Sequence, residues 1–418
     1  MSGLSYQQGP PLALPLRFFL AAPLFLMLAG VAALAAGPAA LASRWNPAVA
    51  AITHLLTLGY LAMVMVGALL QMLPVVLGAR IPAVRAVAGV ALVGLVAGTP
   101  LLAAGLAWTD PVLLDAAMAL LAAGLLPFLV AMAVSLLRSG VASSVAWPMR
   151  QAWLGLALTL ALGLHLAAGL AGRAGGGDFA GLVQLHLAWG LGGWVLILVV
   201  GVAYQVVPML QLTPAYPALA TRWLTWLILL GLVAYGGGQW LHGVWPDVGL
   251  TGVALGASSF ALLTLWLHKR RRRKLGDTTL SFWRLGMASL LGCVLLAPWL
   301  HDDRLQLVFG LLFLLGFAAS VVNGMLYKIV PFLAWFHLQA QTQARAGAIP
   351  NMKEFVPDAL AGRHLRLHLA ALACLLPAPF LPWPAAAAGW LLLILSGDRL
   401  WRNLLAARRA FLAHGGRL

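Results

Sequence analysis

The chain has 418 residues, of which 62% are hydrophobic and 9% charged, with a mean hydropathy of +0.95; so few charges cannot cover a soluble body of this size. The formal net charge of +16 would suit nucleic acid, but the cations lie in short segments between apolar runs, which excludes that partner and leaves the lipid bilayer. Cys293 and Cys374 are the only cysteines. Both fall inside apolar runs, so neither a disulfide framework nor a zinc spacing is available.

In chain order, runs long enough to cross a hydrocarbon core as helices fall at 17–42, 50–78, 84–108, 112–137, 150–171, 182–211, 220–243, 247–268, 281–300, 305–336, 364–382 and 385–405. The ten-residue alternation of a membrane barrel is absent. The fold class read from this is an all-α polytopic membrane protein of about twelve transmembrane helices. The first run is too long and too poorly flanked to be a cleaved leader. Arg80, Arg85, Arg138, Arg150, the run Lys269–Lys274 and the C-terminal arginines lie on one side, against Arg44, Arg173 and Arg304 on the other. That bias predicts both termini on the cytoplasmic side, with the basic run anchored at anionic headgroups. The polar segment 338–363 is the longest connection and has room for a short surface helix.

One pattern recurs three times without insertion: Gly59, Gly67, Gln71, Pro74; Gly193, Gly201, Gln205, Pro208; and Gly316, Gly324, Lys328, Pro331. Its copies fall on the second, sixth and tenth runs, so twelve runs divide into three sets of four. The expected organisation is one integral membrane domain of three pseudo-symmetric units, 13–140, 148–270 and 278–408. On a helix, positions seven apart nearly share a face, so Gly67 and Pro74 align with Gly59 on the flank. Glycines so placed predict a helix-packing seam. The Gln71, Gln205 and Lys328 position lies one turn before a proline, where an amide can satisfy the carbonyl that proline leaves unbonded.

Chemistry must then come from polar groups set on this scaffold. Of the ten histidines, His54, His165, His186, His242 and His301 map to outer ends of runs; His268, His337, His364, His368 and His414 map to the inner surface. His54 and His186 stand on repeat helices, and imidazole inside a span is a ligand for haem iron or copper. His165 faces His186 across a short connection, or else pairs with a carbonyl. His54 lies five residues before its first repeat glycine and His186 seven, a difference of about 200° around an ideal helix.

The arrangement His54-x4-Gly59-x7-Gly67-x6-Pro74 resembles the histidine helix of the NnrS-type haem- and copper-associated membrane proteins. It is more distantly similar to the second helix of the haem-copper oxidase catalytic subunit. The resemblance spans nearly the whole chain and implies twelve helices in three arcs of four, in a bacterial cytoplasmic membrane. It implies a haem ligand at His54 and haem or copper as cofactor; His186 lies on the sixth helix, where the oxidase family places a copper ligand, but nearer the outer end and without the following Pro-Glu. His54 is expected to face the bundle interior with His186 or His165 within reach of a shared haem or metal. The resemblance also implies partners in respiration, denitrification or nitric oxide metabolism. The chain departs from the oxidase pattern in lacking a His-His pair and a His-x-His on the tenth run, where Ser320, Asn323, Tyr327 and Lys328 stand instead. An oxygen-reducing active site is therefore not expected. A cofactor-free permease using Gln71, Gln205, Tyr204, Asn323 and Lys328, or a structural partner of a respiratory complex, is the competing reading.

Lys328 also raises a charge question, because a lone charge at that depth costs at least ~2.5 kcal/mol. It either pairs with Asp398 on the last run, or extends to the headgroups while Asp398 pairs with Arg402 one turn on.

Overall fold

A computed structural model describes residues 9–139, 144–175, 177–241, 243–272, 275–342 and 349–418. Twelve long helices occupy them: α1 (Ala13–Ala36), α2 (Pro47–Leu77), α3 (Val84–Trp108), α4 (Pro111–Arg138), α5 (Ala146–Leu170) and α6 (Phe179–Gln211). They continue with α7 (Ala218–Leu241), α8 (Trp245–Lys269), α9 (Thr278–Leu296), α10 (Asp303–Gln341), α11 (Asp358–Leu375) and α12 (Trp383–Ala413). Among the described residues there is no strand. Eleven of the twelve are long and apolar enough to cross a membrane; α12, which carries Asp398, Arg399, Arg402, Arg408 and Arg409, is the exception. The outward faces are apolar, with Leu137 83%, Leu219 74% and Leu295 70% exposed. Water would penalise such a surface and hydrocarbon does not. The protein is an all-α polytopic membrane protein.

Helix starts follow local chemistry. Asn46, Asp110, Asp277 and Asp302 cap α2, α4, α9 and α10 by accepting from backbone N–H groups of the first turn. The surface helix expected within 338–363 is a single turn, Met352–Phe355, closed by a reciprocal Asn351–Glu354 capping box. Residues 343–348 lie outside the described residues. In the basic run, Arg270 stacks its guanidinium 4.0 Å over the Trp266 ring and Arg271 is buried, so the run is not uniformly a headgroup contact. Residues 273 and 274 lie outside the described residues.

The three repeats share a local conformation. Each repeat helix changes from α to π geometry around its first glycine: Leu55–Ala62 about Gly59, Ala188–Leu196 about Gly193, and Leu312–Ala319 about Gly316. Each packs against the helix before it in one register. In α2, Gly59 lies on Phe25 and Gly67 on Phe18; in α6, Gly193 lies on Gly155 and Gly201 on Pro148. In α10, Gly316 lies on Ser289 and Gly324 on Phe282. In all three cases the partner residues are seven apart, so the glycine pair is a seam for close antiparallel approach. The proline at the end of each motif sits within an unbroken helix.

By compactness the chain forms two units that cut across the repeats. The first holds residues 72–94 and 109–275; the second holds 9–71, 95–108 and 276–418. Only the break near 275 coincides with a repeat boundary. Within the second unit α1 lies on α12: an added Cβ at Gly397 would sit 3.3 Å from the Pro23 carbonyl, and one at Gly30 3.1 Å from the Trp390 carbonyl. That backbone approach ties the first helix to the last. In the first unit Gly94 and Gly124 bring α3 and α4 together the same way.

Candidate functional site

His54 ends the α-helical first turns of α2, immediately before the π stretch. It is half-buried, and its Nδ1 lies 2.8 Å from the Ala50 carbonyl. A carbonyl only accepts, so Nδ1–H donates and the lone pair sits on Nε2. His186 stands two residues before the π stretch of α6, also half-buried, with Nδ1 donating to the Thr159 carbonyl at 3.1 Å and the ring against Gly163. The bond reaches across to α5, so His186 is fixed by a neighbouring helix and His54 by its own.

His165 is exposed, in a shallow cleft with Leu166, Gly169 and Phe179. It follows Gly163 by two residues, about 200° around α5, and so turns away from the face that holds His186. Of the two expectations for His165, an approach to His186 or a carbonyl partner, neither is formed as a hydrogen bond among the described residues. His165 and His186 belong to the first unit, His54 to the second. His301 is exposed, and His242 lies outside the described residues. Among the described residues no three His, Cys, Asp or Glu side chains converge as a metal site. Cys293 and Cys374 are both free, as their positions in apolar runs imply.

The densest polar chemistry lies in the second unit. His364 and His368, expected at the inner surface, are completely buried on α11, and His268 on α8 is buried as well. The correction has a simple cause. His364 and His368 are four residues apart, so they share the one face of α11 that turns onto α10. Tyr327 Oη lies 3.0 Å from His364 Nδ1 and accepts from Asn403 Nδ2 of α12 at 2.8 Å. Ser320 Oγ lies 2.9 Å from His368 Nε2, which is also 3.2 Å from the Leu315 carbonyl. Leu315 belongs to the π stretch of α10, whose altered ladder leaves a carbonyl available to a side chain. Tyr60, in the π stretch of α2, donates to Asn323 Oδ1 at 2.6 Å. Ser320, Asn323 and Tyr327 follow one another at i, i+3 and i+7, one stripe of α10. Phe282 of α9 closes the cluster, its ring centroid 5.2 Å from His364 and 5.7 Å from His368.

Lys328 does not pair with Asp398. Its Nζ lies 3.0 Å from Asp277 Oδ2, at the start of α9. Asp398 pairs with Arg402 one turn on, at 2.8 Å. Of the two arrangements expected, the Asp398–Arg402 pair forms and the Lys328–Asp398 pair does not: Asp398 turns to its own helix, while Lys328 is next to a cap residue 51 positions away in sequence. In the first copy, Gln71 Oε1 is buried without a hydrogen-bond partner. The sequence carried a usable signal for the buried cluster. The α11 span has a mean hydropathy of 1.2, the lowest of the eleven, and a polar face in lipid has to be hidden against protein.

No protein-family model matches this chain, and no curated protein matches it.

Proposed function

We propose that this chain is a haem- or copper-binding protein of a bacterial cytoplasmic membrane, with both termini cytoplasmic. Its work would be tied to respiration, denitrification or nitric oxide metabolism, as its resemblance to NnrS-type and haem-copper oxidase-like proteins implies. One observation carries the reading. The half-buried imidazole of each of the first two repeat helices stands at the edge of a π stretch and donates Nδ1–H to a backbone carbonyl. Metal-ligating histidines use this arrangement, which fixes the tautomer and raises the basicity of Nε2. Short π segments recur at functional sites because they re-aim side chains without ending the helix.

The donor set suits ligation by single imidazoles, as at a haem axial position, better than a copper centre of several converging ligands. His54, and separately His186, are the residues that would each hold such a group within their own unit. Bound haem supplies one-electron chemistry and a site for small diatomic ligands. The Ala50 carbonyl would keep the His54 ring oriented, and the apolar flanks at Ile52 and Leu55 would limit water.

The test is an absorption spectrum of full-length protein purified from haem-replete cells or reconstituted with haemin. A Soret band that His54→Ala removes supports the assignment. A protein without haem or copper, or a band indifferent to both His54→Ala and His186→Ala, refutes it. A permease on the same fold is the second reading, favoured by Gln71 Oε1 and Asn323 Nδ2, buried intramembrane polar atoms with no protein partner.

A further inference from the structure

Hydrogen-bond bookkeeping in the second unit leaves a remainder at two imidazoles. Leu315 O only accepts, so His368 donates from Nε2 and keeps its lone pair on Nδ1. His368 Nδ1 is buried with no partner, and so is Nε2 of His364. Both side chains are completely buried. The ring nitrogens that do have partners touch Tyr327 and Ser320, hydroxyls themselves bonded to Asn403 and the Leu315 carbonyl. Each imidazole is thus held from behind by a two-step network, with its other nitrogen unused. Unpartnered nitrogens in a water-poor interior are costly unless something occupies the space they face.

We propose that His364 and His368 form a buried two-imidazole site for one soft monovalent cation of the cuprous type. A pair of histidines four residues apart on a helix is a chelating spacing, since both project from one face. The separation fits. A ring centroid lies roughly 3.2 Å from a metal bound at one of its nitrogens, counting a bond of about 2 Å, so two rings opposed across an ion are roughly 6.4 Å apart. The observed centroid separation is 6.2 Å, with the rings inclined at 62°; linear coordination leaves that rotation unrestricted.

The charge environment selects the ion. Among the described residues no carboxylate hydrogen-bonds to the cluster: Asp277 pairs with Lys328, Asp398 with Arg402, and Asp358 accepts from the Thr278 amide. Arg399 lies within Coulombic range of His364. A divalent ion would be buried uncompensated beside a cation, whereas a monovalent ion content with two neutral nitrogens carries the smallest penalty. With the ion present, His364 donates Nδ1–H to the Tyr327 oxygen, which also accepts from Asn403, and the unpartnered nitrogens, His364 Nε2 and His368 Nδ1, carry the lone pairs. The site is separate from His54 and His186 and does not depend on their role.

The experiment is an anaerobic titration of the full-length protein in detergent with cuprous ion against a competing chelator, followed by X-ray absorption at the copper edge. Wild type, and the His54→Ala His186→Ala variant, are expected to bind one equivalent that His364→Gln and His368→Gln each lose. The wild-type spectrum should report two nitrogen ligands in a linear arrangement. The glutamine at 368 can still donate to Leu315 O, which keeps the network's outer half. No cuprous binding by wild type, or binding unchanged in the His364→Gln His368→Gln variant, would overturn the proposal. So would a coordination shell of three or more ligands, which stands even if the variants fail to fold.

Discussion

Asp277 has two functions through its two oxygens, and separating them tests how the third repeat is held. Oδ1 caps α9 by accepting from the Leu280 amide at 2.9 Å, and Oδ2 accepts from Lys328 Nζ at 3.0 Å. The side chains are 16% and 27% exposed, so the pair is neither a surface bridge nor fully interior. At this separation the gross attraction is roughly 5 kcal/mol for an effective dielectric of about 20. Desolvation of both ions and ordering of the lysine take back most of it. A coupling of about 1–2 kcal/mol should remain. Lys328→Gln restores the residue of the other two repeats and leaves a partly hydrated, still-capping aspartate, costing about 1 kcal/mol. Asp277→Asn keeps the cap but strands the ammonium beside a helix end, costing about 2 kcal/mol. Asp277→Ala also removes the cap and should cost about 1 kcal/mol more. The double variant Lys328→Gln Asp277→Asn should be no worse than Asp277→Asn alone. Unfolding by SDS in mixed micelles provides the four corners of the cycle. Strict additivity, with coupling under about 0.3 kcal/mol, would show that Lys328 gains nothing from Asp277, and rescue of Lys328→Gln by Asp398→Asn would reinstate the other partner.

Gly155→Leu should destabilise the first unit by about 2–3 kcal/mol, because a side chain there meets the Gly193 backbone rather than a movable side chain; detergent unfolding measures it. Tyr60→Phe should cost about 1–2 kcal/mol by leaving buried Asn323 Oδ1 without its donor, and Tyr60→Phe Asn323→Leu should recover most of that; a double variant as unstable as Asn323→Leu alone would contradict it. Burial holds the Tyr216 phenol above its ordinary range, although its hydrogen bond with Thr264 pulls the other way. The unfolded phenol loses its proton near pH ~10 and the folded one later, so stability present below that pH falls as pH rises through it. Tyr216→Phe should flatten that alkaline limb, and an unchanged limb would assign it elsewhere. His165→Ala should leave any haem or copper spectrum intact, because His165 is exposed and turned from His186.

The helices and the repeat were legible in the sequence because their causes are local. Apolar runs need no partner to declare themselves in lipid, and Gly-x7-Gly predicts close approach wherever a helix lies beside it. The seams at Gly59, Gly193 and Gly316 follow directly. The π geometry around each first glycine was not legible, since it depends on how the turn is pulled by its neighbours. Partners separated by long stretches of chain escaped for the same reason. Lys328 and Asp277, or Tyr327 and Asn403, meet only once α9, α10 and α12 are packed. The spacing of His364 and His368 was visible, but whether that face met water, headgroups or Phe282 was decided by the rotation of α11 in the bundle. Sequence determines which residues share a face, and tertiary packing decides what the face meets. For polar groups inside a membrane the second matters more, because their free energy is set by partners rather than by the residue itself.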